Sequence, residues 1–453
     1  MNVESFFVNQ RSRYLEELKE FLRIPSISAL TDHKEDMNTA AEWLAESLKT
    51  AGLKNVQILP TKGHSVVYGE WLENPSKPTV LIYGHYDVQP VDPLNLWQTP
   101  PFEPDIRDNK IYARGATDDK GQVFMYIKVI EALLSTNSLP INVKFCIEGE
   151  EEIGSPNLEE FVEQHKELLS ADVLALSDTT LLEKGKPAIC YGLRGLCGLQ
   201  IDLTGPNSDL HSGLYGGAVQ NPIHALVELL STMHDSQGKV TIDGFYDQVQ
   251  PLLDEERQAF NELGQSEEQL KEQLGVPELF GENGYSALER TWARPTLEVN
   301  GIWGGFSGEG TKTIIPAEAH AKITCRLVPD QEPEAILELI EKHVTKHTPP
   351  GVWVGVTRFD KGRPFVSPIN HPTIQAAAKA YKKAYGVEPA FTRMGGSIPI
   401  VESFGRLLSI PVAMMGFGLS DENFHAPNEH FHLENFDKGL LTISYFFEEM
   451  SNL

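Results

Sequence analysis

Pro78-Thr-Val-Leu-Ile-Tyr83 is a short apolar run that leads straight into Gly84-His85-Tyr86-Asp87. An apolar run of this length, bounded by turn residues, reads as a strand buried on both faces. The pattern recurs along the chain. Ile141-Asn-Val-Lys-Phe-Cys-Ile147 precedes Glu148-Gly-Glu150-Glu151-Glu152, Ala171-Asp-Val-Leu-Ala-Leu176 precedes Ser177-Asp178, and Ile410-Pro-Val-Ala-Met-Met415 precedes a loop holding His425. Ligands of open α/β sheets sit outside the carboxyl ends of the strands. If these strands share one sheet, a histidine and several carboxylates converge there. Asp118, ahead of the helical run Gln122–Leu134, is placed to join them. Such a cluster predicts a metal-dependent hydrolase.

Outward from these strands the periodicity alternates. Residues 4–23 carry Phe7, Tyr14, Leu15, Leu18, Phe21 and Leu22 at helical spacing, and Asn38–Ala51 repeats the pattern up to Gly52. Strands are expected near Val56–Leu59 and Val66–Glu70, and a helix over Asn157–Leu168. Strands alternating with helices imply a largely parallel sheet with helices on its faces. After about residue 187 the style changes: Cys197–Leu203 reads as a strand, Pro222–Met233 as a helix, Thr313–Val328 as extended segments broken at Pro316, Glu332–Thr348 as a helix and Val352–Phe359 as a strand. The helix 371–385 and the strand 410–415 return to the first style. The expected fold is α/β, a mostly parallel sheet flanked by helices in a discontinuous catalytic domain (1–187 and 366–453). An α+β domain, 188–365, is inserted into it.

The formal net charge of −26 disfavours a phosphate-backbone partner, so nucleic-acid binding is not expected. No apolar run is long enough to span a bilayer, and no membrane partner is expected. The four cysteines, Cys146, Cys190, Cys197 and Cys325, form no C-x-x-C pair, and Met1-Asn-Val-Glu-Ser-Phe-Phe7 lacks the features of a leader. A cytoplasmic protein with reduced thiols is the expectation.

Each candidate has a plainer alternative. His85 and Asp87 point to one side of an extended segment, and a carboxylate beside an imidazole fixes its tautomer. Glu150-Glu151-Glu152 reads either as a solvated acidic loop or as a metal ligand beside a general base. Asp118-Asp119 could simply cap a helix, but two adjacent acids exceed what capping requires. Phe424-His425-Ala-Pro-Asn-Glu429-His430-Phe-His432 offers histidines among which the residues alone do not choose. Gly304-Gly-Phe-Ser-Gly-Glu-Gly310-Thr-Lys-Thr313 departs from a phosphate loop because Thr311 intervenes and Ile314-Ile-Pro316 is a poor helix start.

As an ordered set, Gly84-His85-Tyr-Asp87-Val-Gln-Pro90, Gly115-Ala-Thr-Asp118-Asp119-Lys-Gly121, Glu151-Glu152-Ile-Gly-Ser155, Ser177-Asp178 and His425-Ala-Pro-Asn-Glu429 resemble the aminoacylase/carnosinase/carboxypeptidase G metallopeptidase family, closest to its cytosolic dipeptidase branch. The likeness covers nearly the whole chain. It implies two divalent ions, zinc first, with manganese or cobalt also accepted. Asp118 would bridge them, His85 and Asp178 would complete one site, and Glu152 and His425 the other. Glu151 would be the general base acting on a metal-bridging hydroxide, and Asp87 would steady His85. A cis peptide would link Asp118 and Asp119. The inserted domain would be a lid and homodimerisation domain. From it His211 would polarise the substrate carbonyl across the dimer, and Arg326, Gly396 and Ser397 would hold a substrate carboxylate.

Three carboxylate ligands against two divalent ions leave one positive charge, which a bridging hydroxide cancels. The expected activity is hydrolysis of dipeptides or small peptides with a free carboxylate. The alternative within the family is an N-acyl amino-acid deacylase or a succinyl-diaminopimelate desuccinylase-like amidohydrolase, acting on an N-acyl amino-acid substrate. The long charged insert near 240–296 is absent from compact desuccinylases and favours dipeptides. A non-catalytic scaffold on this fold would lack a ligand or the base, yet every expected position is filled.

Overall fold

The computed structural model describes residues 3–263, 266–396 and 398–453. The chain forms two compact units, Met1–Tyr191 with Ser367–Thr392 and Ile400–Leu453, and Gly192–Val366 with Arg393–Pro399.

In the first unit the strands lie in the order Lys54–Leu59, Val66–Trp71, Asn142–Glu148, Thr79–His85, Val173–Leu176, Val412–Met414 and Ala188–Leu193. The four strands from Asn142–Glu148 to Val412–Met414 run parallel, and antiparallel strands flank them. These four are the apolar runs that precede the candidate ligands. Asn142–Glu148 and Val173–Leu176 are buried throughout, because helices cover both faces and leave no solvated side to alternate with.

One face packs against Val3–Leu22, Lys34–Thr50, Lys120–Ser135, Pro372–Tyr385 and Leu433–Met450. On the other, Tyr83 meets Phe404 with ring centroids 5.4 Å apart. Lys120–Ser135 is buried from Lys120 to Leu133, as expected of a helix that is apolar on nearly every side. The expected helix Asn157–Leu168 is instead two, Leu158–Gln164 and Lys166–Leu169, broken where His165 leaves helical geometry and its ring packs 4.4 Å from Phe161. A small antiparallel sheet, His430–His432, Lys110–Tyr112 and Asp105–Arg107, stands apart from the main one.

The second unit is a four-stranded antiparallel sheet in the order Thr296–Gly304, Glu318–Leu327, Gly195–Thr204 and Trp353–Gly362. Glu318–Leu327 alternates strictly, with Ala319, Ala321, Ile323, Cys325 and Leu327 buried. That face packs with Leu226 and Leu229 of the helix Pro222–Ser231 and with Leu337 and Ile340 of Pro333–His347. The charged stretch 245–275 contains the helices Asp254–Glu262 and Glu267–Leu274. After the glycine-rich stretch 304–313 the chain enters the short strand Ile314–Ile315, not a helix, so no phosphate-loop geometry forms there.

Candidate metal centre

His85 is the last residue of its strand, and Glu148 faces it across the parallel ladder at the end of the neighbouring one. Asp178 follows Val173–Leu176, and His425 lies in the loop after Val412–Met414. Parallel alignment therefore sets these residues at one end of the sheet.

Asp118 is the hub. Its Oδ1 lies 3.2 Å from His85 Nε2 and its Oδ2 2.9 Å from His425 Nε2. Asp178 Oδ2 is 4.0 Å from His85 Nε2, and Glu152 Oε2 is 3.3 Å from His425 Nε2. The donor atoms of His85, Asp118 and Asp178 thus form one compact group and those of Asp118, Glu152 and His425 another, with Asp118 common to both. The peptide between Asp118 and Asp119 is cis. Asp119 makes no side-chain cap bond to the helix that follows; its Oδ2 accepts from His85 N at 3.3 Å. Helix capping therefore does not account for the acidic pair.

Asp87 binds two parts of the cluster together. It contacts His85 Nδ1 at 3.3 Å through Oδ1 and accepts backbone N–H bonds from Glu151 at 3.2 Å and Glu152 at 3.0 Å. Ser28 Oγ donates to its Oδ2 at 2.6 Å. Gln89 Nε2 donates to Glu152 Oε2 at 2.8 Å. Glu150, next in sequence, turns to Asn157 and leaves Glu151 and Glu152 to the cluster.

The electrostatics of the bare residues suit a cation. Among the described residues no lysine or arginine pairs with Asp118, Glu152 or Asp178. Burial pushes the Asp178 carboxyl up to about 7, and the nearby Asp118 charge adds to it. Burial likewise raises Glu151 well above the ordinary range, with Asp178 and Glu152 repelling its charged form. Burial alone would depress His85, but its hydrogen bonds to Asp118 and Asp87 hold it well above the usual imidazole value. Carboxylates gathered around two imidazoles form a donor set that divalent ions fit.

Two buried carboxylates not assigned from sequence support the centre. Glu429 accepts from Arg114 Nη1 at 2.8 Å and from the backbone N–H groups of Gly115, Thr117 and Asp118 at 3.0, 3.0 and 3.2 Å. Glu422 accepts from Thr117 Oγ1 at 2.6 Å, Leu419 N at 3.0 Å and His432 N at 3.0 Å. The loops carrying Asp118 and His425 are thereby cross-linked on both sides of His425. Of the three histidines left open by sequence, His425 joins the cluster, whereas His430 and His432 gather with Asp421.

Within the second unit, His211 caps the turn Ser212–Tyr215, its Nδ1 accepting from Gly213 N at 3.0 Å. That bond leaves Nε2 as the N–H donor of an exposed ring. Arg326 is half-buried, and burial lowers it. Beside it Arg194, a residue the sequence reading passed over, donates from Nε to Gly395 O at 3.0 Å. Burial, and then the Arg326 charge, bring Arg194 down to about 10. Arg194 thus stands at Gly395, with the Arg326 charge near enough to act on it; Ser397 lies outside the described residues.

A parallel sheet with histidines and carboxylates gathered beyond its strand ends defines a metallohydrolase of the α/β class. The chain matches the Peptidase family M20/M25/M40 over residues 81–449, belongs to that family, and is a metallopeptidase. It is 36% identical to the Cys-Gly metallodipeptidase DUG1 of Candida albicans, over 96% of this chain and 93% of that protein. It is 32% identical to the human Beta-Ala-His dipeptidase, over 98% of this chain and 91% of that protein. Its fold is similar to that of the M20 family metallo-carboxypeptidase Sso-CP2 from Sulfolobus solfataricus, with a TM-score of 0.87, 38% identity, and coverage of 97% of this chain and 99% of that one.

Proposed function

We propose that the protein is a dinuclear metallodipeptidase that hydrolyses the amide bond of dipeptides or small peptides bearing a free carboxylate. The observation that carries this reading is the pair of donor groups sharing Asp118, each carboxylate oxygen facing one imidazole. In this reading Asp118 would be a ligand common to both ions, His85 and Asp178 would hold one, and Glu152 and His425 the other. Zinc suits these ligands, and manganese or cobalt substitute. When bound, the ions activate a water and polarise the scissile carbonyl.

The chain's own residues handle protons and orientation. Glu151 takes a proton from the attacking water and delivers it to the leaving amine. Its raised affinity for a proton, caused first by burial, supports that role. Asp87 fixes His85 and the Glu151–Glu152 turn together. Arg326 and the turn holding Gly396 receive the substrate carboxylate, with Ser397 as a further contact. His211 donates through Nε2–H to the developing oxyanion, a contribution worth about 3–4 kcal/mol for a well-placed donor.

Dipeptidases and carboxypeptidases both require a free carboxylate beside the scissile bond, so the relatives' stated activities agree on the end of the substrate that Arg326 would read. The second unit acts as lid and homodimer contact. Its terminal strand Thr296–Gly304 leaves Val299, Ile302 and Trp303 exposed, an unpaired apolar edge suited to a second copy. Four free, buried cysteines support a cytoplasmic location. Among the described residues no helix is long and apolar enough to cross a membrane.

The deciding experiment strips the protein with a chelator, restores zinc, manganese or cobalt singly, and assays dipeptides beside N-acetyl and N-succinyl amino acids. Dipeptide turnover returning with metal is expected. Turnover of the N-acyl compounds alone, or full activity in the stripped protein, would overturn the reading.

A further inference from the structure

His430 and His432, two residues apart on one strand, present their rings to the same side of the small sheet. Asp421 comes up to them from the preceding loop, and the three donor atoms lie within 4.8 Å of one another. His432 Nε2 is 3.3 Å from Asp421 Oδ2. His430 donates from Nδ1 to the Asn428 carbonyl at 3.0 Å, which leaves the lone pair on Nε2 facing the group. A backbone carbonyl on the far ring nitrogen is the arrangement that orients a metal-binding imidazole. None of these residues belongs to the centre around Asp118.

The place a cation would take is held by Lys110. Its Nζ donates to His430 Nε2 at 3.0 Å and reaches Asp421 Oδ2 at 3.4 Å. Lys110 faces His432 across the Lys110–Tyr112 ladder, and its side chain is 21% exposed, so it has a route outward. The scaffold is fixed: Glu422, wholly buried, holds the His432 N–H, and the Tyr112 ring stacks on His430 at 4.8 Å. Burial first, with the Lys110 charge adding to it, holds both imidazoles below their ordinary value, while the bond to the Asn428 carbonyl opposes this at His430.

We propose that Asp421, His430 and His432 form an additional metal site for a divalent transition ion of the zinc, nickel or copper type, which binds by displacing the Lys110 ammonium. Two imidazole nitrogens and one carboxylate are a common ligand set for such ions and leave a position open to water or a further donor. The site lies on the segment that carries His425, so its occupancy stiffens that loop without entering the catalytic chemistry. The proposal stands apart from the dipeptidase reading, since metal can be counted whatever the substrate.

The test uses the metal-loaded enzyme dialysed against free Zn2+, with bound zinc counted per chain. Wild type is expected to hold one zinc more than His432→Ala or the exposed-site variant Asp421→Asn, all with equal dipeptide turnover when the additional site is empty. Lys110→Met is expected to bind the extra ion at least tenfold more tightly. With Cu2+ as probe, the extra equivalent should show nitrogen hyperfine structure in wild type that is lost in His432→Ala. Equal zinc counts in wild type and both site variants would overturn the proposal, as would an unchanged affinity in Lys110→Met.

Discussion

The Glu429 carboxylate accepts a hydrogen bond from the backbone N–H of Asp118 across 311 positions of sequence, at 3.2 Å. The same carboxylate neutralises the buried Arg114 and holds the N–H groups of Gly115 and Thr117. Asp118 is thus oriented by a group from the loop that also bears His425.

Glu429→Gln keeps the shape but removes the charge, and it turns an N–H donor toward other donors. Breaking a buried ion pair on one side costs about 3–5 kcal/mol, because Arg114 stays buried without its partner. Loosening the support behind a ligand typically weakens metal binding about 10–100-fold. Chelator competition and denaturant unfolding measure the two effects. A variant as stable and as tight for metal as wild type would remove Glu429 from the support of Asp118.

Glu151 shares its turn with Glu152, so deleting its carboxyl tests whether proton transfer and metal binding are separable. Glu151→Ala is expected to keep the wild-type metal content and to lose about 10²–10⁴-fold in kcat, the usual worth of a general base. Metal analysis and steady-state kinetics on one sample check both. Turnover within a few-fold of wild type would assign the proton to another group.

Arg326 is tested through the substrate it would read. A charge-assisted hydrogen bond is worth about 1.5–3 kcal/mol, or roughly 10–100-fold in binding. Arg326→Met should therefore raise KM by that factor for a dipeptide with a free carboxylate, and leave a C-terminally amidated dipeptide, already poor, unchanged. Equal losses on both substrates would point to a general structural defect instead of carboxylate recognition.

The four parallel strands and the polar groups that follow them were legible because each signal is local: an apolar run, a turn, then a polar group. The supports were not. Glu429 and Glu422 act on Thr117 through contacts more than 300 positions distant, and Arg194 acts on Gly395 across 201, separations that no window of sequence spans. His430 and His432 looked equivalent to His425 because alternation along a strand does not say which loop stands opposite. The final helix Leu433–Met450 did carry a readable pattern, with Phe436, Leu440, Ile443 and Phe447 buried at helical spacing. It was obscured by the histidine-rich segment before it.

Glu148 gives the centre's surroundings a pH signature. Its Oε1 accepts from Tyr83 Oη at 2.6 Å and Ser155 Oγ at 2.8 Å, while Oε2 is buried with no partner. Burial, aided by the charge on Asp87, raises this carboxyl from 4.5 to about 8. Below pH 4.5 the folded and unfolded chains both carry the proton. Between 4.5 and about 8 only the folded chain does, so stability falls as pH rises, by up to about 1.4 kcal/mol per pH unit. Above about 8 both forms are ionised and the loss is complete. Glu148→Gln keeps the acceptor for Tyr83 and Ser155 but cannot ionise. Its stability relative to wild type is therefore expected to increase from pH 5 to pH 8 and to level off beyond, in denaturant unfolding at fixed metal concentration. Parallel stability curves for the two proteins across that window would show that Glu148 stays ionised in the fold, with a counter-charge holding it there.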